Sequence, residues 1–531
     1  MKNGSIARPE ARGRQEPTDE GDLARTTVPQ SNGARSRLPS VRRRERIEMR
    51  DLGESRRITN LLPHLTAGRT SLEASLKRSY LIIGAGMSGL AAAIRLSMAG
   101  HSVCVVDRHK SIGGLNSFYV KDGRAFDVGL HAITNFVPKG TPKAPLTKLF
   151  RQLRIPYDAW DLCPQNGSSI QFPGRTLTFC NDWEAFKTSV LEKFPEDRDG
   201  FLALLAEMER TDAFAFDGTY RSTRAILNNY IGQALQNQLL LPLCFYGSAR
   251  EDDIDWQQFI VLFQSLYREG FARPLGGVRT IIKSLLRRLR KENVTLRLGL
   301  GVRHLNTEGG RVSAVELDNG TLCQPSAIFS CAGYAETLAL AGIEPPKERR
   351  LSFVEGIFIT PQSPATWGWK DTITFFSKKD TFAYRIPQGL IDLDSGVICI
   401  PNNYNTGNRA LPEGITRITV LANYDAWKAL SPSAYADNKA LCLEQLKQLI
   451  QRQLGPGRFS PIAEDLFTPL SIERFTGHLG GSVYGSPNKH RDGQTPFDNL
   501  FVCGTDQGFL GITGALLSGT VSAAKSLVRL S

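Results

Sequence analysis

Between Tyr80 and Gly114 the chain reads YLIIGAGMSGLAAAIRLSMAGHSVCVVDRHKSIGG, and few folds accept residues in that order. Tyr80 to Ile83 predicts a buried strand, Gly84, Gly86 and Gly89 mark a turn, and the Ala-rich stretch to Gly100 predicts a helix. Each glycine has its own reason. Gly84 permits the tight turn, Gly86 removes a side chain that would hold a pyrophosphate off the backbone, and Gly89 lets helix and strand pack closely. The helix N-terminus, with Ala85 and Ser88 in the same turn, then offers unpaired N–H groups and partial positive charge to the phosphates. Ser102 to Val106 predicts a second strand ending at Asp107, about twenty residues past the turn, where an acid reaches ribose hydroxyls. A lone glycine turn is weak evidence. Here strand, helix, second strand and terminal acid are all present, which predicts an α/β chain with a Rossmann-like dinucleotide-binding domain.

The next residues separate the kinds of dinucleotide fold. Arg108 opens a short basic loop, Gly113-Gly114 follows, and two strands, Ser117 to Val120 and Arg124 to Val128, are expected around Lys121-Asp122-Gly123. A dinucleotide turn that continues into a glycine doublet and a hairpin resembles the FAD-binding start of glutathione-reductase-like flavoproteins, above all the amine oxidase and phytoene desaturase superfamily. One departure is Asp107, where that family more often has Glu. The phrase FDVGLHAI, Phe126 to Ile133, is similar to retinol saturases and carotenoid isomerases of the phytoene desaturase group, as is Gly481-Ser482-Val483-Tyr484-Gly485. Near the C-terminus, Asn499 to Asp506 resembles the strand and acidic turn of the superfamily, and Gly511 to Gly519 the start of its last helix.

The resemblance implies FAD as cofactor, held by Gly84, Ala85, Gly86, Ser88, Gly89, Asp107, Arg108, Gly113 and Gly114. It places Val302 beside the adenine, Gly504 and Asp506 at the ribityl-pyrophosphate, and Gly514 and Ala515 at a helix start beneath the flavin. His131 and Tyr484 would then stand near the isoalloxazine, although a His in an apolar stretch also reads as a hydrogen-bonded core residue. No residue is assigned as catalytic acid or base.

At 531 residues and 58.6 kDa the chain exceeds one ordinary core. The expected organisation is a disordered basic leader over 1–75 and an FAD-binding domain assembled from 76–157, 271–349 and 467–531. A discontinuous α+β substrate domain is expected from 158–270 and 350–466. Helices are predicted at Pro145 to Leu153, Trp183 to Phe194, Phe201 to Glu209, Ser222 to Leu241, Trp256 to Tyr267, Val278 to Lys291 and Ala434 to Leu454. Trp367, Trp369, Phe375, Phe376, Phe382 and Tyr384 read equally as pocket lining or core.

A net charge of +13 suggests nucleic acid until it is located. The first 80 residues hold 17 Lys+Arg against 10 Asp+Glu, so more than half of the excess lies there. Arg42-Arg43-Arg44-Glu45-Arg46 in that leader could meet anionic lipid, a start at Met49 is an alternative, and no nucleic acid partner is expected. Nine cysteines without CxxC spacing read as reduced core residues, and seven dispersed histidines give a metal site no support. No uninterrupted apolar window is long enough to span a membrane. The basic amphipathic stretch Val278 to Lys291 either packs on the dinucleotide domain or touches lipid. A cytoplasmic protein, peripheral on the inner face of a membrane, is expected.

Together these features predict an FAD-dependent oxidoreductase acting on carbon–carbon bonds of a long apolar isoprenoid or polyene, by desaturation, saturation or isomerisation. The alternatives are a flavin amine oxidase, or a flavin-binding protein without turnover. No second GxGxxG unit follows, which favours a quinone or oxygen as electron acceptor.

Overall fold

Side-chain alternation along two short strands organises the first half of the structure. The computed structural model describes residues 79–214, 219–454 and 459–530, so the leader, its basic run and Met49 lie outside the described residues. Along Tyr80–Ile83 and Val103–Asp107 successive side chains point to opposite faces of a sheet. Tyr80, Ile82, Val103 and Val105 pack among helices, whereas Leu81, Ile83, Cys104 and Val106 pack against Leu305, Val312, Val315 and Leu317 of a three-stranded antiparallel layer. The sheet itself has five parallel strands, in the spatial order Leu500–Val502, Ala327–Ser330, Tyr80–Ile83, Val103–Asp107, Thr295–Leu298. Tyr80 stands opposite Ala327 on one side and Val103 on the other.

Four helices cover its helical face: Met87–Met98, Pro145–Leu153, Val278–Lys291 and Gly511–Leu530. The basic amphipathic helix Val278–Lys291 buries Val278, Ile281, Ile282, Leu285, Leu286 and Leu289 here, so its apolar stripe is spent on this core. The first and last of the four cross closely, and glycine makes that crossing fit: a Cβ at Gly519 would lie 2.0 Å from the Ser88 carbonyl oxygen.

A seven-stranded mixed sheet forms the second layer system, in the order Ala463–Phe467, Ser352–Thr360, Gly414–Ala422, Ser395–Cys399, Ile373–Ser377, Ser168–Phe172, Arg175–Phe179. Its neighbours are antiparallel except Ile373–Ser377 beside Ser168–Phe172. One face carries helices from 183–263 and the other the long helix Pro432–Leu454. The hairpin Phe118–Lys121 and Arg124–Asp127 joins the two halves, with Phe126 packed on Ile357 and Ile359.

Two expectations are corrected and one open alternative is decided. The helix predicted over Ser222 to Leu241 is two helices, Thr223–Leu227 and Gln233–Phe245. Packing breaks it: Gly200 of the helix Arg198–Arg210 lies so close that a Cβ there would fall 1.7 Å from the Tyr230 carbonyl oxygen, while the Gly232 N–H donates to Asp197 at 2.7 Å. The helix from Trp256 is α-helical only to Phe263 and winds into a π-helical turn over Gln264–Glu269. The aromatic cluster from Trp367 to Tyr384 is core: Phe375, Phe376, Phe382 and Tyr384 are buried, and Trp367 and Trp369 pack against the cluster under the long helix. No described helix is long and apolar enough to cross a membrane.

Candidate functional site

The glycine turn shows three different uses of a missing side chain. Gly84 has a φ of +104°, which side chains rarely adopt, and a Cβ at Gly89 would lie 2.1 Å from the Gly84 carbonyl oxygen. Gly86 has neither constraint: its backbone is extended, φ −73° and ψ 175°, and a Cβ there would meet no protein atom within 4 Å. Protein packing therefore does not require glycine at 86. What a side chain would fill is an open cradle at the N-terminus of Met87–Met98, a helix with no side-chain cap and no acid in its first turn.

The glycine doublet builds the second wall. Gly113 bridges to Gly86, its N–H donates to the Ala85 carbonyl at 2.9 Å, and a Cβ at Gly114 would lie 3.3 Å from the Gly86 Cα. Asp107 accepts from the Ala85 and His109 N–H groups, each at 2.7 Å, tying the end of its strand to the turn. Burial pushes its carboxyl above the usual range, against those two donors. Gly504 comes within reach of Ser88 from the opposite strand, and its N–H donates to Ser518 Oγ at 2.6 Å.

Four further expected residues have these contacts within the protein. Arg108 turns its guanidinium to the Glu473 and Arg474 carbonyls at 3.1 and 3.4 Å, neutralising the end of the helix Pro469–Thr476. Val302 pairs with Leu317 and packs into the three-stranded layer. Asp506 does not face the open chamber; its carboxylate accepts from Ser486 at 2.7 Å and Tyr334 at 2.6 Å, fastening two loops. Burial opposes its ionisation, but Lys489 and those donors outweigh it and hold the carboxyl below its usual range. The last helix starts at Gly511, within the stretch expected to open it, and Gly514 makes room for Phe509, 3.0 Å from where its Cβ would stand.

Gly114, beside the cradle, also lines a chamber of about 640 Å³ with a mainly apolar lining. One part is walled by Gly114, Asn116, Thr505, Gly511 and Ala515, beside the start of the last helix, which has no acid in its first turn. Another is walled by Phe353 and Val397 of the seven-stranded sheet, by Phe245 and Tyr246 at the end of the helix Gln233–Phe245, and by His131 and Tyr484 from loops. Tyr484 donates its hydroxyl to the Phe245 carbonyl at 2.5 Å, which fixes the ring and leaves its apolar face to the chamber.

His131 is the polar exception on that wall. Its Nε2 lies 3.3 Å from Glu355 Oε1 and 3.2 Å from Thr419 Oγ1, and its carbonyl accepts from Tyr404 at 3.0 Å. Glu355 is paired in turn with buried Arg417, whose Nε donates to it at 2.5 Å and whose Nη1 holds the Leu130 carbonyl at 3.1 Å. Burial pushes the Glu355 carboxyl up, but Arg417 and His131 outweigh it and hold it at about 2. Burial pushes His131 down, against the pull of Glu355, so the imidazole is neutral. Behind it, Arg273 pairs with Asp127 at 2.6 Å.

Sequence reasoning named His131 and Tyr484 but missed Glu355, Arg417 and Thr419. A signal was present: Glu355 is the single charge in SFVEGIFIT and Arg417 the single charge in GITRITVLA, the marks of a buried ion pair on adjacent strands. Register brings them together, because Glu355 stands opposite Thr419 and Arg417 lies on the same face two residues away. Among the described residues no group of His, Cys, Asp or Glu is arranged to hold a metal ion.

Sheet, uncapped helix and open cradle define a dinucleotide-binding protein with an apolar chamber beside the nucleotide groove. Residues 82–153 match the family of NAD(P)-binding Rossmann-like domains. The chain is similar to a chloroplastic prolycopene isomerase of Daucus carota, 23% identical across 85% of this chain and 80% of that protein. It is likewise similar to a 4,4'-diaponeurosporene oxygenase of Staphylococcus haemolyticus, 23% identical across 81% of this chain and 92% of the other. In fold it resembles a putrescine oxidase, with a TM-score of 0.56, 18% identity, and 86% of this chain and all of that chain covered. In sequence the chain is similar to carotenoid-modifying oxidoreductases, and in fold to flavin amine oxidases.

Proposed function

We propose that the protein is an FAD-dependent oxidoreductase acting on carbon–carbon bonds of a long isoprenoid or polyene. The observation that carries this reading is the chamber: a largely apolar space that reaches Gly114 at the edge of the nucleotide cradle and is walled by Phe245, Tyr246, Phe353 and Tyr484. The similarity to carotenoid-modifying enzymes supports it. FAD suits the residues present, since the space above Gly86 and the starts of two helices without an acid in their first turns accept a pyrophosphate and a developing negative charge. When bound, the flavin accepts or returns a hydride, chemistry that a hydrocarbon offers no side chain a way to initiate.

In this reading the chain's own residues bind, orient and keep dry. Gly86 and Gly114 leave room for the pyrophosphate, Gly511 and Ala515 at the start of the last helix would help hold the ring system, and the aromatic wall would grip the substrate while excluding water. The five-stranded sheet belongs to an FAD-binding domain and the seven-stranded sheet to a substrate domain, exchanging near residues 158, 271, 350 and 467. A quinone or oxygen serves as acceptor, and the substrate reaches the chamber from a membrane surface.

Anaerobic titration of the purified yellow protein tests the reading. Long polyenes should bind and exchange electrons with the flavin or isomerise, and short amines should do neither. Rapid flavin reduction by short amines, with no binding of long polyenes, would establish the amine oxidase alternative.

A further inference from the structure

Which nitrogen of His131 carries the proton follows from its partners. Glu355 is held ionised by Arg417, and an ionised carboxylate only accepts hydrogen bonds. The ring nitrogen facing it at 3.3 Å, Nε2, must therefore be the N–H, with Thr419 Oγ1 sharing that side. In a neutral imidazole the other nitrogen then bears the lone pair. Among the described residues Nδ1 has no hydrogen-bond partner, and the side chain, 13% exposed, lines the chamber. The arrangement is a base with an orienting carboxylate behind it and an anchoring cation behind that, set in a wall of aromatic rings.

We infer that His131, through Nδ1, is the catalytic residue that takes the proton when a carbon–carbon single bond of the substrate is desaturated, with Glu355 as its positioning residue. The inference rests on the oxidoreductase reading above. The step balances: a hydride leaves one carbon with its electron pair for the oxidised flavin, and a proton leaves the adjacent carbon for Nδ1. The electron pair of that second carbon–hydrogen bond becomes the new π bond. Loss of hydride makes the adjacent C–H strongly acidic, so a neutral imidazole is base enough. The imidazolium formed faces Glu355, which stabilises it, while the other charges packed around the ring, Arg417 and Arg273, with Asp127 beyond, favour prompt return of the proton. The remaining neighbours, Tyr246, Cys399 and Tyr404, stay neutral because burial raises all three.

The first test needs no variant. In protein labelled with ¹⁵N-histidine, two-bond proton–nitrogen spectra near pH 7.5 should show Nδ1 of His131 bare and Nε2 protonated; the opposite tautomer would overturn the inference. The second uses His131→Gln in the holoprotein. Polyene affinity, read by quenching of flavin fluorescence, should stay within threefold of the parent. Single-turnover flavin reduction should fall by about 10²-fold or more, within the usual range for a general base. The acid limb of the parent's pH–rate profile should vanish in the variant. Equal reduction rates in parent and variant would refute the role of His131 while leaving the oxidoreductase reading standing. If no polyene binds or reduces the parent protein, both fall together.

Discussion

Gly86→Ala should separate binding of the cofactor from folding of the protein. At φ −73° and ψ 175° an alanine is unstrained, and its Cβ meets no protein atom within 4 Å. The flavin-free protein should therefore keep its stability or gain about 0.4–1 kcal/mol, because alanine has less freedom to lose from the unfolded chain. Binding should behave oppositely. A methyl group in the cradle pushes a pyrophosphate off the first turn of Met87–Met98, and losing about two hydrogen bonds to a charged group, at about 1.5–3 kcal/mol each, amounts to about 3–6 kcal/mol. That is about 10²- to 10⁴-fold in affinity for FAD. Gly89→Ala is the control, since its Cβ would sit 2.1 Å from the Gly84 carbonyl oxygen and the fold itself should suffer. Isothermal titration of flavin-free protein with FAD, beside urea denaturation of the same samples, measures both quantities. An alanine variant at 86 that binds FAD as tightly as the parent, or loses more than about 1 kcal/mol of stability, would refute the reasoning.

Other expectations follow from the wall of the chamber. Glu355→Gln and Arg417→Met should each cost about 3–5 kcal/mol by leaving a buried partner uncompensated, and the double variant should lose much less than the sum, as read by a denaturant double-mutant cycle. With the Glu355 carboxyl at about 2 instead of 4.5, its stabilising contribution, about 3 kcal/mol, is complete above pH 4.5 and is lost as pH falls towards 2. His131, held below its usual 6.5, acts in the same direction from pH 6.5 downwards, so stability measured by circular dichroism should decline on acidification, and a flat profile from pH 7 to 3 would contradict both. In a homologous series of polyenes each added CH₂ should improve binding by about 0.8 kcal/mol, roughly fourfold, until the chamber is full. Fluorescence titration across the series should show that limit.

The two kinds of wall differ in how far sequence alone exposes them. The cradle is local: Gly84, Gly86, Gly89 and Asp107 lie within one strand–turn–helix–strand unit, so their spacing fixes their geometry, and the doublet at Gly113 and Gly114 folds back upon it. The ionic wall is not local. His131, Glu355 and Arg417 come from a loop and two strands separated by some hundreds of residues in the case of His131, and only the register of Ser352–Thr360 against Gly414–Ala422 aligns them. The aromatic residues misjudge in the other direction, because a Phe in a strand shows its alternation but not which face holds the chamber: Phe353 lines it while Phe375 and Phe376 are core. Arg108 and Asp506 show a further limit. Both occupy positions that the family resemblance assigns to the cofactor, and each side chain bonds backbone groups nearby, the carbonyls ending Pro469–Thr476 and the N–H groups of Tyr334 and Ser486. A charged side chain settles on whichever opposite partial charge the fold leaves unsatisfied. The ion pair behind His131 obeys the same rule in reverse: an acid and a base that are alone in apolar strands have only each other. Their pairing keeps Glu355 ionised as an acceptor for Nε2 of His131, whose imidazole burial keeps neutral at the chamber wall.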